Sequence, residues 1–279
     1  MQLPTLRISG SALQPWNARQ VLSVLTLVTI AVGLPVSAAE NGAPPTTRTA
    51  HPSASAPVDA ALQRPLRARF AQEAASAPVR QLADWIVDSG DNQSMPFALV
   101  DKANARVYVF HADGLLRAAA PALLGVAVGD DAVPGIGQRK LSSIQPHERT
   151  TPAGRFVASL DRNLRGAEIL WVDYEGAVSL HPVVAGSPSE QRALRLSSPT
   201  PRDNRISYGC INVPVAFFAN VVKPAFTGTD GVVYVLPETR PVHQVFGSYD
   251  VDARALTQSE RSESPTWSAS GSPDRDAVR

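Results

Sequence analysis

Disulfide bonds are the first thing this sequence does without. Cys210 is the only cysteine in 279 residues, so no bridge can form within the chain and stability has to come from a buried core. A charge excess is missing as well: 26 Lys and Arg face 25 Asp and Glu, a formal net charge of +1. That balance supplies no global field to gather nucleic acid or an anionic membrane surface, so partners have to be recognised locally. Long hydrophobic runs are scarce. The apolar run from Val21 to Val36 is shorter than the roughly 20 residues that a membrane-spanning helix needs, which argues against an uncleaved anchor. No cysteine sits just after it to carry a lipid, and no internal repeat is visible.

What is there falls into four parts. Arg7 and Arg19 precede the apolar run, and Ser37-Ala38-Ala39-Glu40 follows it. Charged flank, apolar stretch and small residues at a cut site make residues 1–39 a secretory signal, cleaved after Ala38 or Ala39. The mature chain is then expected in the periplasm or cell envelope, with no stable membrane insertion after cleavage. Residues 40–94 begin as an Ala-, Pro-, Ser- and Thr-rich stretch that cannot bury enough surface to offset its ordering entropy, so a flexible tether is expected. Within it Val79, Leu82 and Ile86 have helical spacing, and Gly90 can stop that short helix.

Residues 95–240 read as the folded domain. Short runs rich in Val, Leu, Ile and aromatics alternate with Gly, Pro, Asn and Asp. Strands are expected at Phe97 to Asp101, Ala105 to Phe110, Ala122 to Val128, Gly154 to Leu160, Glu168 to Tyr174, Ala177 to His181 and Gly231 to Leu236. Two long irregular stretches, Gly129 to Pro152 and Ala185 to Arg205, are either substrate-facing loops or surface insertions. Pro214 suits a first helical turn, with a helix over Val215 to Val222 ending near Pro224. The polar tail, 241–279, is expected to be disordered.

An unpaired thiol in an oxidising compartment is kept if it reacts or if it is safely buried. Cys210 sits in Ser207-Tyr208-Gly209-Cys210-Ile211-Asn212. A thiolate is the nucleophile, so a reactive cysteine needs help to ionise near neutral pH. A helix starting just after Asn212 would aim its positive end at Cys210, and His181, ending a strand, could take the proton. His111 and His147 are its rivals, with His51 and His243 nearer the tails. Gly209 lets the backbone approach a substrate, and amides at Tyr208, Gly209 and Cys210 could donate to an oxyanion.

These residues resemble the L,D-transpeptidase catalytic domain, the YkuD-like family. Its motif is a His, a loop, then Ser or Thr, His, Gly, Cys, a hydrophobic residue and often Asn; Ser207, Gly209, Cys210, Ile211 and Asn212 match. Thr151-Pro152-Ala153-Gly154-Arg155-Phe156 resembles the family's Thr-Pro-x-Gly-x-Phe segment, and Ala98-Leu99-Val100-Asp101-Lys102 its opening strand. The resemblance implies a mainly β fold, a YkuD-like sandwich or barrel with one short helix after the cysteine. It also implies acyl transfer on peptidoglycan stem peptides through a Cys210 thioester, with His181 as base and no metal or cofactor. The same acyl-enzyme would serve an L,D-carboxypeptidase, and a chain that had lost the chemistry would be a peptidoglycan-binding envelope module.

The chain departs from that pattern in three places. Tyr208 replaces the second His, Pro182 replaces the Gly usual after the first, and the longer separation of His181 from Cys210 marks an insertion between them. Ser207, Tyr208 and Asn212 could position the site or simply satisfy the turn. Arg202 and Arg205 could clamp a stem carboxylate, or be ordinary exposed arginines.

Overall fold

The computed structural model describes residues 65–263. The expected signal, most of the tether and the last residues lie outside that range. In chain order it contains helix α1 (Ala77–Ser89), strands β1 (Phe97–Asp101), β2 (Arg106–Phe110), β3 (Leu116–Pro121), β4 (Leu124–Gly125), β5 (Gly154–Arg162), β6 (Glu168–Asp173) and β7 (Val178–Pro182), and helix α2 (Arg192–Ser197). Then come β8 (Arg205–Ser207), β9 (Ile211–Val213), α3 (Val215–Phe217), α4 (Lys223–Phe226), β10 (Gly231–Val235), α5 (Val242–Phe246) and α6 (Val251–Glu263).

Eight strands form one sheet in the order β3-β2-β1-β10-β5-β6-β7-β9, and β4 and β8 form a second, two-stranded one. The chain is mainly β, with the large sheet curled nearly closed. Pairing is antiparallel within it except for β1 with β10 and β7 with β9, which are parallel. β1 and β10 are buried on both faces, which is why they read as unbroken apolar runs. The strand alternation sorts their side chains. Ala98, Val100, Val233 and Val235 join Leu170, Leu180, Ile211 and Val213 in the core inside the curl. Phe97, Leu99, Val232 and Tyr234 face outward onto α1, through Val79, Leu82 and Ile86. Each such aliphatic side chain contributes about 1.5–3 kcal/mol when fully buried, so α1 is held by its apolar stripe. Gly90, at φ +70, ends it in the left-handed turn that glycine favours.

Four expectations change. The segment expected as tether is docked well before 95: Phe70 packs edge-on against Tyr108 and Phe110, and Arg69 bridges to Leu115. The tail is not disordered over 242–263, because α5 and α6 lie there. Val251 is buried in the outer core, Tyr249 donates to Asp88 at 2.7 Å, and Phe246 meets Tyr234 edge-on at 5.8 Å between centroids. The expected strand over Ala122 to Val128 shrinks to β4, and the preceding β3 takes the sheet edge. Its Ala118-Ala119-Ala120 core carries little β signal. Finally, Pro224 lies inside the helical stretch 215–226, behind a π-helical segment at Phe218–Val222. The wider turn accommodates a residue that lacks an N–H and crowds the carbonyl four residues back. Among the described residues no helix is long and apolar enough to cross a membrane.

Candidate active site

The site is a consequence of strand register. β7 and β9 run parallel with Leu180 opposite Ile211 and His181 opposite Asn212. Val178, Leu180, Ile211 and Val213 point into the core. The two-residue period therefore turns Ser179 and His181 on one strand, and Cys210 and Asn212 on the other, to the opposite face.

Cys210 is half-buried. Its Sγ lies 3.6 Å from Ser179 Oγ and 3.7 Å from the Ala177 carbonyl, to which the thiol can donate. His181 donates from Nδ1 to the Pro182 carbonyl at 2.8 Å. A carbonyl only accepts, so the neutral ring keeps its lone pair on Nε2. That nitrogen faces Asn212 Nδ2 at 3.2 Å. Burial pushes the Cys210 thiol up, but the neighbouring His181 ring, then Ser179, outweigh it and hold the thiol below its ordinary value. For His181 burial pulls down, and the Cys210 thiolate, with help from the Pro182 carbonyl, raises the ring above its ordinary value. The two shifts have one cause, since each charged form stabilises the other.

The turn before Cys210 is cross-braced. Ser207 Oγ donates to the Cys210 carbonyl at 2.6 Å and accepts from the Gly209 amide at 3.1 Å. Thr151 Oγ1 donates to the Gly209 carbonyl at 2.8 Å and accepts from the Gly125 amide at 2.9 Å. Gly209 is at φ +129, and a Cβ there would sit 2.7 Å from the Thr150 carbonyl oxygen, so no other residue fits unstrained. Ser207 thus has a structural task, and the Gly209 amide is already spent, contrary to its expected oxyanion role. The Tyr208 and Cys210 amides are left for that role.

Behind the turn lies a buried ionic cluster. Lys102 Nζ donates to Asp130 at 2.8 Å and to the Gly129 and Thr151 carbonyls at 2.5 and 3.0 Å. Arg205 pairs with Glu238 and donates to the Lys102 carbonyl at 3.0 Å. Burial pulls the Lys102 amine below its ordinary value despite Asp130. Burial also pushes the Asp130 carboxyl up, but Lys102, Thr239 and two backbone amides take it well below the usual range. Arg205 is therefore consumed inside the protein and does not clamp a substrate. Arg202 is exposed and is not among the residues lining the groove at Cys210.

That groove is walled by the first irregular stretch, which folds into three 3-10 turns at Ile136–Gln138, Leu141–Ser143 and Pro146–Glu148. Ile136, Leu141, Ile144, Ala177, Tyr208 and Cys210 are among its lining residues. Arg139 staples the wall with hydrogen bonds to both Glu148 oxygens at 2.7 and 3.0 Å. The Tyr208 ring, 37% exposed, carries the Arg149 guanidinium 3.9 Å above its centroid, so the residue read as replacing the motif's second His is one half of a stacked pair.

The rival imidazoles His111, His147 and His243 are all exposed, and His51 lies outside the described residues. The helix expected beside Cys210 starts only at Val215. β9 intervenes and carries the chain roughly 10 Å onward, so His181, not a helix end, lowers the thiol. Sequence reading missed Ser179 and Arg192, whose Nη1 donates to Asn212 Oδ1 at 2.8 Å. The alternation of Ser179 with His181 was the available signal for the first.

In structure the chain is similar to several L,D-transpeptidase catalytic domains. An Enterococcus faecium L,D-transpeptidase matches at 18% identity over 51% of this chain and 50% of that one, with a TM-score of 0.30. The helical cell shape determining protein Pgp2 from Campylobacter jejuni matches at 14% identity over 64% of this chain and 60% of that one, with a TM-score of 0.36. An L,D-transpeptidase from Xylanimonas cellulosilytica matches at 16% identity over 51% and 60%, with a TM-score of 0.30. The chain thus spans about half the length of the first and 60% of the other two. No protein-family model matches it, and no curated protein matches it in sequence. At such partial overlap the chemistry rests on this chain's own side chains.

Proposed function

We propose that the protein is an exported cysteine acyltransferase that acts on peptidoglycan stem peptides in the periplasm. The observation that carries this reading is geometric: the half-buried Cys210 thiol is among the residues lining a groove walled by three 3-10 turns, and His181 and Asn212 pair beside it on parallel strands. His181 Nε2 takes the thiol proton, and the thiolate attacks the carbonyl joining the third residue of a donor stem to its terminal D-alanine. The Tyr208 and Cys210 amides stabilise the tetrahedral oxyanion, an effect of about 3–4 kcal/mol per donor in comparable sites. Collapse expels D-alanine, whose amine takes the proton back from His181, and leaves a thioester. An amine from a neighbouring stem then attacks the thioester and restores the thiol, forming a crosslink.

The test is intact mass after exposure to a carbapenem, a strained acyl donor. One covalent adduct is expected on the wild-type protein and none on Cys210→Ala. An unmodified wild-type mass would remove the enzymatic reading and leave a wall-binding module, which would still sediment with sacculi. Water in place of the acceptor amine makes the same acyl-enzyme an L,D-carboxypeptidase. Products from purified muropeptides separate the two, as a shortened stem or a crosslinked dimer.

A further inference from the structure

The second irregular stretch, 185–205, lies away from the groove wall but delivers one side chain to the site. Arg192 opens α2, and its side chain is only 13% exposed. Its Nε donates to Glu190 Oε2 at 2.6 Å, while its Nη1 reaches Asn212 Oδ1 on β9 at 2.8 Å. The segment is shaped around this guanidinium. Gln191, just before it, is held at φ 47 and ψ 40, a left-handed conformation that non-glycine residues seldom adopt. Gly186 is at φ +66, and a Cβ there would meet Glu190 Oε2 and come within 2.7 Å of Arg192 Nε. An exposed ion pair contributes little to stability and needs none of these fittings.

Asn212 is buried, and its amide can turn either its oxygen or its NH2 group toward His181. The two choices have opposite effects. Nδ1 of the ring is committed to the Pro182 carbonyl, so Nε2 is a lone pair in neutral histidine and an N–H donor in imidazolium. An oxygen facing Nε2 would stabilise imidazolium. The NH2 group, which stands 3.2 Å away, stabilises the neutral ring. A guanidinium has only donors, so its 2.8 Å bond to Oδ1 holds the oxygen away from the ring, with a longer 3.4 Å bond from Nδ2 to the Cys210 carbonyl favouring the same orientation.

We propose that Arg192 is a positioning residue, which by holding the Asn212 oxygen keeps the amide NH2 on His181 Nε2 and so favours the neutral imidazole over imidazolium. This rests on the reading of Cys210 as a nucleophile served by His181. The consequence is a base that is not trapped as imidazolium and that returns its proton readily. The charged or titratable side chains acting on His181 are Cys210, from the turn before β9, and Arg192, from α2; Arg192 opposes the rise that Cys210 causes. Glu190 stands beyond Arg192 as its partner.

The experiment follows the His181 ring by NMR across pH in isotopically labelled full-length protein, alongside the pH dependence of Cys210 alkylation by iodoacetamide. In Arg192→Met the His181 midpoint is expected to move upward. In Gly186→Ala, which keeps the guanidinium but crowds it off Asn212, the midpoint should move the same way by less, and this variant carries the test should the first not fold. In Asn212→Ala the Arg192→Met step should shrink. A His181 midpoint unmoved in folded Arg192→Met and in Gly186→Ala overturns the proposal and leaves Arg192 a structural ion pair. Should the midpoint move while wild-type Cys210 stays inert to iodoacetamide, the positioning role survives and the acyltransferase reading falls. A reactive Cys210 with a fixed midpoint gives the reverse.

Discussion

Two polar clusters lie on either side of the turn that presents Cys210, and they are built to opposite ends. In the one behind the turn, Lys102, Asp130, Glu238 and Arg205 pair cation with anion, almost wholly out of water. In the one in front, Cys210, His181, Asn212 and Arg192 form a chain that contains proton donors and acceptors of adjustable charge. The first matches each cation to a buried anion and fixes the turn in place. In the proposed function the second moves a proton between sulfur and nitrogen. They touch through Thr151, whose carbonyl accepts from Lys102 and whose hydroxyl holds the Gly209 carbonyl. A closed ionic cluster thus props up an open, titrating one.

The comparison breaks most visibly at the open cluster. His181→Ala removes the base, and the rate of carbapenem acylation is expected to fall by about 10²–10⁴-fold, read by time-resolved intact mass, with the urea midpoint little changed. The closed cluster should fail the other way. Lys102→Met takes from the buried Asp130 its closest cation and leaves Glu238 to Arg205 alone, and a loss of about 3–5 kcal/mol in urea unfolding is expected. Unchanged stability would mean that the cluster is ornamental. Thr151→Val cuts the link between the two and leaves the Gly125 amide and Gly209 carbonyl unpaired. A cost of about 1–3 kcal/mol is expected for the buried groups left unsatisfied, together with slower acylation at saturating carbapenem.

The smallest effect is in acid. The Asp130 carboxyl is held below its unfolded value, chiefly by Lys102 and Thr239 against its burial. Its contribution to stability is therefore complete above the unfolded carboxylate range, about pH 4, and is lost as pH falls toward the folded value. Asp130→Asn should flatten the acid limb of a stability-versus-pH curve while leaving the Cys210 alkylation profile in place.

How much of this was legible in the sequence follows from the physics of each feature. β1, β2 and β10 announce themselves because β-branched and aromatic residues crowd strands buried on both faces. β6 and β7 were legible from their apolar residues, Ile169-Leu170-Trp171-Val172 on one and Val178 with Leu180 on the other, and Gly90 marked the end of α1 as a left-handed cap does. Cys210 and its turn could be read because it is the only cysteine in the sequence and stands in the run Ser207-Tyr208-Gly209-Cys210-Ile211-Asn212. What could not be read depends on register and docking. Arg205 resembles any surface arginine until β8 carries it against Glu238, and Arg192 acquires its role only when α2 folds back on β9. Residues 242–258 are too sparsely apolar to signal a helix by themselves, yet Tyr249 and Val251 find a ready surface on α1. Pro224 stops a helix only if the preceding turn is α-helical.

The central claim is that His181 holds the Cys210 thiol below its ordinary value. The pH dependence of Cys210 alkylation, measured side by side in wild type and His181→Ala, tests it most directly. Wild type should ionise below an ordinary thiol, and the variant should shift back upward. Superimposable profiles, both at the ordinary thiol value, would contradict it.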